Sequence, residues 1–372
     1  MSTYQEVGRE HCLDSLRGVA ALIVLLSHTT IAGLYKVEPL WSIVKWTPLR
    51  VLWSGHQAVI LFFILSGFAL TRMWQAMNER GYGAYVAARV LRLYPPYIAS
   101  IALALAAYSI LGTWFSWEKM WMNIPSPNVH EFNFAGHLLM IGVFNPAEVN
   151  GPIWSIIHEM RISLVFPVIY LIVSRFGAIA VSLFVASSVV VSCLISGIVP
   201  LNEIEMQLLI SLHYSTFFAV GSYIAINQAS VISIIGEARN RFGLFLWLFA
   251  VLAYAYPFDN PWSLSQRAIG DLATAVGAFL IVGLILERGK SIFGRIGDFL
   301  GKISYSLYLN HILGLNIALL FFYKHFGASA VWPAAIVIAV TISCVMYLVF
   351  ERPSILISRR VRRRLSMMVT NT

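Results

Sequence analysis

Charge is what this sequence has least of. Only 12% of its 372 residues are Asp, Glu, Lys or Arg, about half the share of an ordinary soluble domain. That scarcity excludes a soluble globular fold and a charge-rich disordered chain. Cysteine is also rare. Cys12, Cys193 and Cys344 lie far apart and in no metal-ligand spacing, which excludes a disulfide framework and a zinc site; no metal is expected. No glycine-rich phosphate loop of the Walker or Rossmann type occurs. There is no internal repeat, and no appended soluble domain is expected. The first apolar run begins near Leu16 and lasts past Ile31. It exceeds the about 7–15 residues of a signal-peptide core, so it reads as a retained span.

What is present is apolar: 59% of the chain is hydrophobic. About 20 apolar residues cross a bilayer core of about 30 Å as a helix. Ten runs fit that template, at 14–35, 53–77, 94–112, 152–174, 178–198, 209–227, 242–256, 268–287, 303–323 and 331–350. The seventh is the shortest, and 133–145 is too short to span and is expected to dip into the interface. The chain is therefore expected to be an all-α polytopic membrane protein, one domain over 1–372, with about ten transmembrane helices. With the N-terminus in the cytoplasm, most Lys and Arg fall on inside segments, and an even count returns the basic tail 351–372, with its "SRRVRRR", to the same side. Both termini are thus cytoplasmic, and the tail suits anionic lipid. This placement accounts for the net charge of +9 without nucleic acid. The outer loop 113–151 carries Trp114, Trp117, Trp121, His130 and His137. They suit an interfacial belt or stacking on sugar rings.

An ionisable side chain inside a span costs about 2.5–3.5 kcal/mol on insertion scales and marks function by default. The stretch "WSIIHEMRISLVFP" holds His158, Glu159 and Arg161. At about 1.5 Å per residue, His28 lies roughly 16 Å above the inner boundary, His311 roughly 12 Å above it, and Glu159 roughly 10 Å below the outer one. Two histidines and a glutamate are expected to share a depth near the midplane. The alternative is a polar network that only holds helices together. On the cytoplasmic side Arg89 and Arg92 sit at i, i+3, one helix face, before Pro95 and Pro96 end or bend that element. Paired guanidinium groups suit a phosphate; ordinary positive-inside charge against lipid headgroups is the plainer reading.

Six motifs in order resemble the acyltransferase type 3 family over nearly the whole chain: "LDSLRGVAALIVLLSH", "AVILFFILSGFAL", "RVLRLYPPY", "WSIIHEM", "ISYSLYLNH" and "FERP". The resemblance implies transfer of an acyl group, usually acetyl, from cytoplasmic acyl-CoA to a hydroxyl of an extracytoplasmic acceptor, commonly a cell-envelope carbohydrate or glycolipid. It implies a bacterial inner membrane. It makes His28 the catalytic histidine, with Glu159 and His311 completing the core. Arg89 and Arg92 would grip CoA phosphates, supported by Arg17 and Arg72. Asp14, His158, Arg161, Tyr305 and Asn310 are candidate supporting residues, the last two as oxyanion donors. Ser15 and Ile60 depart from the family's Gly and Asp, and "HEMRIS" departs after the shared Glu. Many relatives carry a fused esterase-like domain; none is expected here. Three rivals remain. A transporter or glycan flippase would show broken helices in paired halves, and no such symmetry is visible. A scaffold would tolerate loss of His28. An enzyme with a cytoplasmic acceptor leaves the aromatic outer loop without a use.

Overall fold

The computed structural model describes residues 2–31, 46–77, 81–111, 133–140, 150–195, 201–256 and 264–370. Nearly all of these are helical, and no strand occurs among the described residues. The helices are α1 (Ser2–Ile31), α2 (Gly55–Gln75), α3 (Tyr82–Leu111), α4 (Phe134–Leu139), α5 (Ile153–Phe176), α6 (Ala178–Cys193), α7 (Glu203–Ile226), α8 (Gln228–Phe242), α9 (Leu244–Ala255), α10 (Leu264–Arg288), α11 (Arg295–Ala318), α12 (Ala328–Met346) and α13 (Arg352–Thr370). A short 3₁₀ turn, Pro48–Trp53, precedes α2. Among the described residues, eight helices are long and apolar enough to cross a membrane, and α6 and α9 are shorter apolar helices. Each expected run falls on one of these ten. The chain is an all-α polytopic membrane protein. Helices satisfy their own backbone hydrogen bonds, as a lipid-embedded segment must. Large side chains such as Val165, Val168, Leu171, Ile179 and Leu183 stay exposed, as a lipid-facing surface allows.

Two compact units emerge. Unit 1 comprises Met1–Ala20, Lys45–Ala76 and His158–Gly301; unit 2 comprises Ala21–Val44, Met77–Ile157 and Lys302–Thr372. In unit 1, α2 packs on α7 with the backbones almost touching. A Cβ on Gly67 would lie 2.2 Å from the Phe218 carbonyl oxygen, and one on Gly221 only 1.9 Å from that of Ile64. Small residues permit such close packing in membranes, which gives the Ser-Gly-Phe motif of α2 a structural reason. One turn on, Thr71 donates to Ser222 across the same seam at 2.9 Å. Ser15, the departure from the family's Gly, accepts the Ile292 amide at 2.9 Å and donates to Cys12 O.

In unit 2, α3 runs unbroken through Pro95 and Pro96, so the prolines do not end the arginine-bearing element. Their missing N–H groups leave the carbonyls of Leu91 and Arg92 without helical donors. In the same turn the Tyr305 hydroxyl donates to Leu93 O at 3.0 Å, a tie from α11 to this stretch of α3. The basic segment after the last span is a helix, not a loose tail. It continues from α12 through a π turn, Tyr347–Glu351. It packs on α3, where buried Ser354 and Ser358 meet a face bearing buried Ala84 and Ala88. Ser358 donates to Ala88 O at 2.6 Å. Buried Glu351 accepts from both the amide and the hydroxyl of Ser306, so the "FERP" and "ISYSLYLNH" motifs are joined.

The connection from α3 to α5 folds back. Tyr94 and Tyr97 lie 14 or more residues before the end of α3, about 20 Å along a helix. Tyr94 donates to Leu139 O, and Tyr97 hydrogen-bonds His137 at 3.3 Å. So α4 lies beside the middle of α3. Burial holds the His137 imidazole well below its ordinary value, at about 4, and it is neutral at neutral pH. Trp114, Trp117, Trp121 and His130 lie outside the described residues.

The α2–α7 seam predicts the effect of one methyl group. Gly67→Ala will lower the thermal midpoint of the detergent-purified protein, by about 1–3 kcal/mol of overpacking. Gly83→Ala, at a helical position with nothing within 4 Å, will not. Equal midpoints for the two variants would contradict the tight seam.

Candidate functional site

Unit 2 brings together two histidines 283 positions apart. His28 comes from the last turn of α1 and His311 from the C-terminal half of α11. Their rings are 4.9 Å apart between centroids, tilted by 52°. His311 Nε2 lies 3.3 Å from His28 Nδ1. The backbone fixes the protons. His311 Nδ1 lies 2.7 Å from Tyr308 O, and His28 Nδ1 lies 2.9 Å from Val24 O. A carbonyl only accepts, so both Nδ1 atoms carry hydrogen in the neutral rings. His311 Nε2 then offers its lone pair to the His28 Nδ1–H, which it shares with Val24 O. His28 Nε2 is left with a lone pair, and no described residue bonds it. His311 is fully buried and His28 partly so.

The turn carrying His311 is held from several sides. Leu309 O accepts from Ser100 at 3.1 Å and from Asn150 Nδ2 at 2.6 Å. Asn310 donates to Ser306 O and accepts from Ser100. Ser155 and the Tyr308 hydroxyl are 2.6 Å apart, and both reach Pro152 O. The "NGPIWS" segment thus braces α11. Tyr305 and Asn310, expected as oxyanion donors, here direct N–H or O–H groups at the backbone carbonyls of Leu93 and Ser306. On α3, Arg89 is buried and Arg92 is exposed.

The remaining expected residues lie in unit 1. Glu159 Oε1 accepts from Ser66 of the α2 motif at 3.0 Å. Arg17 pairs with Asp14 at 3.6 Å, one helical turn away. Arg72 donates to Gln228, the first residue of α8, and stands over the Phe68 ring, 5.5 Å from its centroid. His158 lies 2.8 Å from the Ser211 hydroxyl. That hydroxyl's own proton goes to Gln207 O, so His158 Nδ1 donates. His158 also meets the Tyr214 ring edge-on. Arg161 is half-buried on α5.

The sequence reading passed over a second polar cluster, also in unit 1. Asp271 of α10 lies between two histidines: His56 Nε2 at 2.6 Å from Oδ1 and His213 Nε2 at 3.0 Å from Oδ2. His213 Nδ1 continues to Ser188 at 2.6 Å. The groups form a line, and among the described residues no three His, Cys, Asp or Glu side chains converge as metal ligands would. The signal was available. His56, His213 and Asp271 each stand three or four residues into a run expected to start on the outer side, the same depth argument that paired His28 with His311.

A family model described as an acyltransferase domain matches residues 10–348. The chain belongs to the acyltransferase type 3 family. Among curated proteins, this acyltransferase is 30% identical over 173 residues to "Protein 2 in picA locus" of Rhizobium radiobacter, covering 41% of the chain and 78% of the relative. It is 23% identical over 308 residues to "Putative acetyltransferase ORF330" of Acidianus two-tailed virus, covering 81% and 82%. No solved structure matches. The family places the chain among integral membrane enzymes that use an acyl donor and an acceptor.

The Asp271 cluster in this acyltransferase carries a stability prediction. Leaving a buried donor without its acceptor costs about 1–3 kcal/mol. Asp271→Asn will lower the thermal midpoint accordingly, because an amide cannot accept from both Nε2–H groups with separate oxygens. A midpoint equal to the wild type would contradict the bridging role.

Proposed function

We propose that this acyltransferase moves an acyl group, most simply acetyl, from cytoplasmic acyl-CoA to a hydroxyl of an extracytoplasmic glycan or glycolipid, in a bacterial inner membrane with both termini cytoplasmic. The observation that carries the reading is the state of His28. Its Nδ1–H is held by Val24 O and faces His311, which leaves the Nε2 lone pair as a base. The acceptor hydroxyl gives its proton to Nε2 as its oxygen attacks the thioester carbonyl. The carbon–sulfur bond then breaks, CoA leaves as the thiolate, and the imidazolium returns the proton to it. His311 accepts from the Nδ1–H throughout, which orients the ring and stabilises its charged form.

Two further features support an anionic donor. Arg89 lies beside Ala88, where Ser358 of α13 docks, and the next residues, Arg359 and Arg360, are exposed. Two helices of unit 2 therefore offer guanidinium groups that suit the nucleotide phosphates of CoA. The name of the viral relative agrees with an acetyl group. The roles of Arg17, Arg72 and Glu159 rest on the family resemblance.

The test is turnover in reconstituted vesicles, read as thiol release from acetyl-CoA in the presence of cell-envelope glycan. A positioned base contributes about 10²–10⁴-fold. His28→Ala will lose at least a hundredfold while keeping wild-type helicity and membrane insertion. His28→Ala with turnover within a factor of two would refute the assignment.

A further inference from the structure

Among the described residues, nothing donates to the buried side-chain oxygen of Asn150. The residue is only 5% exposed. Its Nδ2 donates to Leu309 O at 2.6 Å, and its Oδ1 has no hydrogen-bond partner among the described residues. The amide cannot be turned round to cure this, because that would set Oδ1 against the Leu309 carbonyl, acceptor to acceptor. Leu309 O also lies 3.1 Å from the Ser100 hydroxyl, whose single proton it shares with Asn310 Oδ1. Buried polar groups are paired almost without exception, and an unpaired one calls for a partner the protein does not itself supply. What is missing is a hydrogen-bond donor, so a thioester or phosphate oxygen cannot fill the place.

The place is informative. A helical carbonyl points along the axis toward the residue four ahead, so Leu309 O lies in the same turn as His311. Asn150 therefore stands at the level of the histidine pair in unit 2. The attacking hydroxyl has a single proton, and the proposed chemistry directs that proton to His28 Nε2. Every acyl-CoA, however, brings a second donor to the same level: the amide N–H two carbons from the thioester sulfur. We propose that Asn150 Oδ1 accepts that N–H and so registers the thioester carbonyl against His28. The inference rests on the acyl-CoA reading above and extends it to the pantetheine arm.

The test is calorimetric titration of purified protein with CoA and with a CoA analogue whose sulfur-proximal amide is an ester. One neutral hydrogen bond corresponds to about three- to tenfold in affinity. Wild type will bind the ester analogue weaker than CoA by that factor, a result that needs no folded variant. Asn150→Ala will lose the same factor for CoA and bind the two probes equally. Ser100→Ala, which disturbs the same Leu309 carbonyl without touching Oδ1, will keep the preference for CoA. Equal binding of both probes by wild type overturns the proposal. So does an Asn150→Ala protein with unchanged CoA affinity but a raised acceptor KM, which gives Oδ1 to a hydroxyl instead. A wild type that binds neither probe refutes the acyl-CoA reading itself.

Discussion

A hydrogen-bonding group inside a hydrocarbon slab has no water to turn to, and this constraint arranges the polar side chains of the acyltransferase. Ser66 answers Glu159, Ser306 answers Glu351, and Asp271 answers His56 and His213. Short hydroxyl side chains recur because they fit between close helices while offering a donor. The same constraint explains why motifs far apart in sequence meet in pairs. The Ser of "WSIIHEM" reaches the Tyr308 hydroxyl of "ISYSLYLNH", and the closing "FERP" supplies the acceptor for Ser306 of that same segment. Much of what the motifs encode is this bracing of one helix, α11, and the bracing is what holds His311 still.

From that rigidity follows the chemistry of the histidine pair. An imidazole free to rotate would offer either nitrogen. Here each Nδ1 faces a carbonyl of its own helix, one turn back, so each ring presents Nε2 outward. The pair forms a directed chain: His28 toward His311, and His311 toward the α11 backbone. In the proposed mechanism, a proton taken up at His28 Nε2 meets an acceptor already in position, with no reorganisation at the moment of reaction.

The apolar helices were legible because apolar length needs only composition: each of the ten runs falls on an apolar helix, eight of them long enough to cross a membrane among the described residues. Rise per residue gave His28, His311 and Glu159 one depth but not their neighbours, and Glu159 is bonded to Ser66 in unit 1. The unbroken α3 was not legible. Local rules end or bend a helix at Pro95–Pro96, whereas the packing that holds α3 unbroken through them comes from segments far along the chain, such as Tyr305, which ties to Leu93 O. The basic tail was legible only as charge suited to anionic lipid, because its serine face, Ser354 and Ser358, becomes a packing surface only once α3 lies beside it. The His56–Asp271–His213 line was missed for another reason. Each member sits near a run's end, where one charge looks ordinary, and only the shared depth of all three reveals a cluster. Asn150 gave no sequence signal, since an orphaned acceptor exists only in three dimensions.

The central proposal is that this membrane protein takes an acyl group from CoA, with Arg89 and Arg92 of α3 holding the donor. The most direct measurement is calorimetric binding of acetyl-CoA to purified wild type and to the Arg89→Ala, Arg92→Ala double variant in nanodiscs. The account predicts saturable binding by the wild type that the double variant loses while remaining folded. Absence of binding by folded wild type, or undiminished binding by the double variant, would contradict it.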